Sequence, residues 1–582
     1  MADFPNPQQD PGMERRLLLV FALTFIVILL FQPILKKYLP QAPAAPAQHQ
    51  SQAPPVAPAA SSPQPAEARP APLPGKRSAK QATAESESVV ENDLYRITFS
   101  NRGAQVKSWI LKKFDDDKGQ PLELINRVAA ERFGYPLSLW TYDEGQRSKI
   151  NSALYVASTT GSQHAPAEIT FEWADQDTAV RKTFRFDDTY VVHLEVSVLS
   201  KGSQVAAYPT WPAGFGDETS LASYHASQVA YQYNNNTERL DIKKVSGGNT
   251  LHVPFNWAGM TDQYFAAVFL PEDAQNAALV TLRNSINVPK NPENPNPQEM
   301  SAVEVLGFAA GNPKGTTTAR MYVGPKALQT LESVPVPGLT GSDPDLRGVV
   351  DFGWWGLIAR PLFLWLKWTY DKIVPNWGWA ICIQTLIINL TLLPLRISSM
   401  KSALKMQKIQ PQMNAIKEKY KKYAMRDPRR QEMNTEIGAL MKQEGVSPVG
   451  GCLPLVIQMP FLFAYYRMLG VSIDLRHAHW LWIRDLSSPD PWHLLPIGII
   501  ITMLFTQRMT PQAGMDPSQQ KMMNLMMPGM LGIISWNLAA GLCLYWSEGN
   551  LIAIVQQFVM NRTSLGREMK EMALKRARKK EK

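Results

Sequence analysis

The sequence predicts a polytopic α-helical membrane protein of six transmembrane helices, carrying an all-β external domain and a cytoplasmic helical hairpin. Three observations lead there. Apolar runs crowd residues 377–560, period-two alternation fills residues 89–345, and basic residues concentrate in two of the segments between and after the runs. The 582 residues suffice for several domains, and the formal net charge of +10 is concentrated rather than spread. Cys382, Cys452 and Cys543 all fall inside apolar runs, so neither a disulfide framework nor a CxxC metal site is read from them.

The first run, Leu17 to Phe31, follows Arg15 and Arg16, and no small-x-small cleavage site comes directly after it. Residues 1–36 therefore read as an uncleaved signal-anchor. The Pro/Ala tract at 37–88 cannot build a core and reads as an extended spacer. From residue 89, "LYRITFS" and "VVHLEVSVL" alternate apolar and polar positions, and "TFEWADQDTAVRKTFRFDDTY" reads as two strands around a turn. Short strands continue to "TTARMYVGP", giving an all-β sandwich over 89–345. His193 and Glu195 alternate with apolar residues and belong on a solvated strand face. No catalytic triad or metal spacing stands out, so a carbohydrate enzyme built on this domain is disfavoured.

"DFGWWGLIARPLFLWLKWTYDKIV" gathers Trp354, Trp355, Trp365 and Trp368 around Pro361, so residues 350–375 read as an amphipathic helix at the headgroup boundary. Five apolar segments follow, at about 377–395, 452–469, 494–509, 522–537 and 540–560. Loop charge sets the topology. Arg396–Gly445 holds 12 Lys/Arg against 5 Asp/Glu, the tail from Arg562 holds 9 against 3, and Val471–His493 has only Arg476 and Arg484 beside three aspartates. The positive-inside rule puts both termini, the basic tail 563–582 included, in the cytoplasm and residues 37–345 outside.

Within 398–446 the apolar positions Ile409, Met413, Ile416, Tyr420 and Tyr423 are spaced 4, 3, 4, 3, and Met433, Ile437 and Leu440 repeat the spacing. Two helices of coiled-coil type result, with Asp427 and Pro428 opening the second and Gly445 closing it. Pro411 is expected to kink the first. Lys405, Lys408, Lys417, Lys419, Lys421, Lys422, Arg429 and Arg430 form a basic surface suited to anionic lipid, ribosomal RNA or substrate, or simply to a solvated face.

The apolar segments carry polar residues at membrane depth. Asn389 lies seven residues before Arg396, about 10 Å above the cytoplasmic end, and Gln458 lies at a matching depth about 9 Å in from Cys452. Gln384 lies within the same span as Asn389, and Glu548 lies higher than Asn389 and Gln458, near mid-membrane, a carboxylate whose burial in lipid costs about 2.5–3.5 kcal/mol. Two readings fit: interhelical hydrogen-bond glue, or a polar recess between spans open to the cytoplasm. Methionines cluster about the fourth and fifth spans, Met526 and Met527 among them. Flexible thioethers suit varied apolar partners, although they also fill gaps.

"NWGWAICIQTLIINLTLLPLRISSMKSALKMQKIQPQM", "VSPVGGCLPLVIQMPFLFAYYRML" and "GLCLYWSEGNLIAIVQQ" resemble the YidC/Oxa/Alb family of bacterial membrane protein insertases, closely over 350–562 and more loosely before it. The resemblance implies a five-helix insertase core over 376–562 around a hydrophilic groove closed on the outside. It also implies a mobile cytoplasmic hairpin and an external domain like the sugar-binding super-sandwiches, without catalysis. It implies insertion and chaperoning of nascent integral membrane proteins in the inner membrane, alone or with the Sec translocon. Apolar segments would leave along spans three and five, past Pro454, Met459, Pro460, Phe461, Met526 and Met527. Groove lining falls to Gln384, Asn389, Gln458 and Glu548. No phosphate-binding G-x4-GK[ST] loop is present, so an internal ATPase is not expected; no metal or other cofactor is expected either. Many relatives place an arginine where this sequence has Asn389, and Arg396 follows Pro394-Leu395 at the boundary, which puts attraction of acidic substrate tails in doubt. The rival from the residues alone is a secondary transporter or channel, disfavoured because the spans show no internal repeat.

Overall fold

The computed structural model describes residues 79–290, 299–339, 344–423, 427–445, 453–509, 517–564, 567–568 and 571. The signal-anchor, nearly all of the Pro/Ala spacer, Cys452, the link between the hairpin helices at 424–426 and most of the basic tail lie outside them.

Alternation builds the β domain. Val191–Ser200 buries Val192, Leu194, Val196 and Val198 and turns His193 and Glu195 outward. It pairs antiparallel with Thr178–Phe186 on one side and Thr317–Pro325 on the other. These strands sit inside a ten-stranded sheet, in which Ala167–Ala174 continues one flank and Phe265–Pro271 then Trp257–Thr261 the other. Two five-stranded sheets complete the domain. The strands begin at Glu87, and Lys80 already bridges to Ala174, so ordered pairing starts before residue 89.

One strand breaks the inside-outside rule. Lys182 is fully buried, and its Nζ donates to the carbonyls of Gly103 (2.7 Å), Ala104 (3.1 Å) and Leu137 (2.8 Å). Three acceptors match the three protons of an ammonium and offset the cost of burying it, tying two loops to the sheet.

Past a single turn at Gly353–Trp355, the amphipathic helix runs Gly356–Lys372, shorter than the 350–375 read from sequence. It buries Ala359, Leu362, Phe363, Leu366 and Thr369, and exposes Leu357, Leu364 and Trp368. The five apolar segments are helices at Trp377–Thr391, Leu453–Val471, Leu494–Met509, Pro517–Ser535 and Ala540–Arg562. Among the described residues no single helix is long and apolar enough to cross a membrane alone; Trp377–Thr391 with Leu393–Ser399 passes as a pair bent by 47°. The helices turn apolar side chains outward: Leu390, Ile501, Phe505, Leu525, Ile533, Val555 and Val559 are all more than half exposed. Such a belt suits a hydrocarbon solvent rather than water. Gly532 is needed for packing, since a Cβ there would lie 2.2 Å from Ile500 on the neighbouring helix.

Proline has less effect than the sequence suggests. Pro454 occupies the first turn of its helix, where its missing N–H is harmless, while the helix continues through Pro460. The first hairpin helix, Leu393–Lys419, likewise runs through Pro411 without interruption, and Arg429–Gln443 packs against it. Ile409, Met413 and Ile437 form the buried seam, flanked by Ile416, Met433 and Leu440, as the 4-3 spacing requires. Asp427 Oδ1 accepts from the Arg429 amide at 3.0 Å, and Gly445 closes the second helix at φ +59°.

The β domain and the residues just after it meet the core at the end of the Leu453–Val471 helix and the loop that follows. Gln263 donates to the Gly470 carbonyl (3.0 Å), Arg476 to that of Asp115 (2.8 Å), and Arg467 pairs with Asp351 (3.0 Å).

Candidate recess between the core helices

The helix is interrupted at Leu392, ahead of Pro394, and the next helix sets off at a bend of 47°. Asn389, Leu392, Leu395 and Arg396 face Gln458 of the Leu453–Val471 helix around a recess of about 20 Å³, room for roughly one water. Arg396 Nη1 donates to the Gln556 side chain of the last helix, and Gln556 Nε2 donates in turn to the Asn389 carbonyl at 3.3 Å. Asn389 Nδ2 donates to Thr385 of its own helix at 2.9 Å. A cation and three amides thus gather around one recess between the helices.

This corrects the sequence reading of Arg396. It belongs to the recess despite following Pro394-Leu395, because seven residues are two helical turns and keep it on the face of Asn389. The Arg396–Gln556 contact was missed; its signal was that spacing together with the paired amides of "VQQF".

Gln384 requires the opposite correction. Its side chain is fully buried and lies outside the recess lining. Gln384 Nε2 donates to the Leu362 carbonyl of the amphipathic helix (3.0 Å), and Tyr465 Oη donates to Gln384 Oε1. Tyr465 stacks on Tyr545 at 4.1 Å. Gln384 therefore joins three helices in a packed layer, beside the Tyr465–Tyr545 stack that sequence reasoning did not name. Glu548 is half-buried near Cys382 and Thr385, and its Oε2 is enclosed without a hydrogen-bond partner among the described residues. It stands one residue from Gly549, whose Cβ position lies 3.9 Å from Asn389 Nδ2.

Among the slide residues, Met459 and Met526 point outward, Pro460 and Met527 are half-buried, and Phe461 packs partly against the core. In the hairpin Lys405, Lys408, Lys419, Lys421, Lys422 and Arg429 are exposed, and Lys417 and Arg430 half-buried. Several of these cations already have partners: Lys419 pairs with Glu436 (2.9 Å), Lys421 with Glu418 (3.2 Å) and Arg429 with Asp427 (2.8 Å). Among the described residues no cluster of His, Cys, Asp and Glu is arranged to hold a metal.

Comparison with known proteins covers both halves. Residues 87–365 match the YidC periplasmic domain family and residues 368–567 the 60Kd inner membrane protein family. A membrane protein insertase YidC of Geobacter metallireducens is 31% identical over 584 residues, covering 96% of this chain and 100% of the relative. This chain belongs to the YidC family of membrane protein insertases. The family's insertase of Ralstonia nicotianae is 31% identical across 89% of this chain and 90% of its own. An active YidC insertase crystal structure aligns with 83% of this chain and 94% of its own at 19% identity and a TM-score of 0.34.

Proposed function

We propose that this insertase moves nascent integral membrane proteins into the bacterial inner membrane through the recess at Asn389, Arg396 and Gln458. The reading rests on one observation: a guanidinium and two amides face a common gap between helices whose outer surfaces are apolar. A polar gap in the inner half of the membrane shortens the dry path for a hydrophilic substrate end. The enclosed volume is small, so entry requires the Arg396–Gln556–Asn389 chain of hydrogen bonds to open, and Arg396 then offers its charge to acidic substrate tails. The packed Gln384–Tyr465–Tyr545 layer stops the polar end from passing straight through. The apolar stretch leaves sideways between the third and fifth spans, past Met459 and Met526, and gains about 0.3–0.6 kcal/mol for each Leu, Ile, Val or Phe transferred. Glu548, beside Cys382 and Thr385, bounds the recess from above.

Six spans, a cytoplasmic hairpin and tail, and an external β domain form the topology in which this works. The Sec translocon for some substrates, and ribosomes or anionic lipid at the basic hairpin, are the partners it calls for. No covalent step or nucleotide enters the cycle. Proteoliposome insertion of a nascent membrane protein tests the reading. The Asn389→Leu, Gln458→Leu double variant should lose insertion while remaining membrane-integrated, and normal insertion by it would refute the role of the recess.

A further inference from the structure

One turn through which the β domain touches the core is built on a pair of buried carboxyls. Asp262 follows the strand Trp257–Thr261, and Phe265–Pro271 pairs back antiparallel against that strand. Asp262 Oδ1 accepts from the Tyr264 and Phe265 amides (2.7 and 2.6 Å), and Lys326 Nζ donates to the Asp262 carbonyl (2.7 Å). Gln263, between them, donates to Gly470 of the core. Arg476, in the loop after the Leu453–Val471 helix, lies 5.8 Å over both the Tyr264 and Phe265 rings, and the Tyr264 hydroxyl meets Ser487 of the same loop. Asp262 therefore sets the shape of the turn that the core grips.

Its second oxygen faces a like group. Asp262 is 3% exposed, and its Oδ2 and Asp217 Oδ1 are both enclosed without a hydrogen-bond partner among the described residues. Yet the two carboxyls lie within hydrogen-bond reach of each other. Ionised carboxylates only accept, so two side by side repel, whereas one proton between them makes a donor and an acceptor. Burial first, then the charges of Asp262 and Glu218, hold the Asp217 carboxyl well above its ordinary value of 3.8, against the opposing pull of Arg476. A metal ion is a poor substitute for the proton, because Lys326 and Arg476 already flank the pair. Water has a route in, since Glu218, the next residue along, lines a surface cleft of about 310 Å³ with Glu123 and Arg127.

We infer that Asp217 and Asp262 share one proton, and that this proton latches the β domain onto the core, so that the contact loosens as pH rises. Losing it leaves two anions in one enclosed site, and hydrating them requires the turn to part from Gly470, Arg476 and Ser487. The sign follows from linkage. The closed joint holds the proton more tightly than the open one, so closure is complete at low pH and weakens progressively above 3.8. Other ionisable groups face the joint. Tyr224 stands behind Glu218, Asp485 beside Tyr264, and Arg239, Arg467 and Asp351 beyond Lys326. His477 of the core loop faces Asp117 of the β domain at 3.6 Å, and histidine changes charge in the same pH range, so it needs its own control.

The test is hydrogen exchange of the full chain in lipid nanodiscs between about pH 5 and pH 9, corrected for the chemical effect of pH on exchange. In the wild type, residues 262–265 and 471–486 should lose protection together, their opening rising by up to about tenfold per pH unit. Asp217→Asn puts a permanent donor beside Asp262, so it should keep both segments protected at the upper end and abolish the dependence. His477→Gln should leave the dependence in place. The wild-type profile needs no substitution, and two segments without a shared pH response overturn the latch. So does an Asp217→Asn chain that responds like the wild type, or a His477→Gln chain that does not respond at all. Should Glu218→Gln abolish the dependence while Asp217→Asn keeps it, the proton sits on Glu218 and the inference fails. Loss of protection across the whole of residues 87–325 at the same pH would mean unfolding of the domain, which also overturns it.

Discussion

The β domain and the helical core solve the burial problem in opposite solvents. In the β domain, Phe99 is enclosed by Phe184 (5.1 Å), Phe171 (5.6 Å) and Phe186 (5.9 Å), while polar side chains such as Glu195 face outward. In the core, Leu525, Ile533 and Val555 face outward and Gln384, Arg396 and Gln556 face inward. The same side-chain inventory has been turned inside out. Position relative to the local solvent, and not residue type alone, therefore decides what a substitution costs.

The largest effect should come from emptying the enclosed side. Phe99→Ala should destabilise the β domain by about 3–5 kcal/mol, read as faster proteolysis of residues 87–325 in denaturant, because the three surrounding rings lose their common contact. Leu525→Ala should change almost nothing, because that side chain is 73% exposed within the protein. The charge test reverses the ranking of the two regions. Leu525→Lys should cost about 2.5–3.5 kcal/mol of membrane integration, measured by alkaline extraction, whereas Glu195→Lys on the strand face should stay within about 0.5 kcal/mol. Equal costs at 525 and 195 would show that the outward face of Pro517–Ser535 meets water.

A smaller, pH-dependent effect belongs to the β domain. Glu218 is buried, and desolvation, reinforced by Asp262, pushes its carboxyl up to about 8. A folded-state value above the unfolded one means that the stabilising contribution is complete below about 4.5 and is lost as pH rises through about 8. Between those limits thermal stability should fall with pH, by at most ~1.4 kcal/mol per unit from this group. Glu218→Gln should flatten the slope and gain on the wild type toward pH 9, since an amide still accepts from the Phe215 amide and can meet the Ser227 hydroxyl. A slope unchanged in the variant would place the titration elsewhere, with Asp217, also raised by burial, as the next residue to replace.

The sequence made the periodic features legible. The strand Val191–Ser200 and the hairpin seam of Ile409, Met413 and Ile437 follow from spacing alone, since period two and the 4-3 repeat each specify one face. The polar residues of the core were legible only in part. Counting residues from a charged boundary gives height along a helix and leaves direction open. Gln384 and Asn389 are five residues apart, which turns them about 140° from each other, so one enters a packed layer and the other reaches the recess. Arg396 was misjudged for the reverse reason: its place after Pro394-Leu395 suggested the boundary, although the two-turn spacing preserved the face. Lys182 gave no periodic signal, since its role depends on carbonyls from two distant loops.

The smallest effect separates joinery from passage inside the core itself. Gln384→Leu leaves the Leu362 carbonyl and the Tyr465 hydroxyl without their partner, in a layer where water cannot replace it. Interhelical hydrogen bonds of this kind average about 0.6 kcal/mol and reach about 1.7 kcal/mol, so the variant should unfold slightly sooner in detergent yet keep its insertion activity. Adding Tyr465→Phe removes one of the two orphaned groups, and the double variant should recover part of the loss, because an unmet hydroxyl costs more than an absent one. Asn389→Leu should do the reverse, with little change in unfolding and a clear fall in insertion. If Gln384→Leu abolished insertion as fully as the recess substitutions, the packed layer would have to open during the cycle, and the division of the core into a sealed outer half and a yielding inner half would fail.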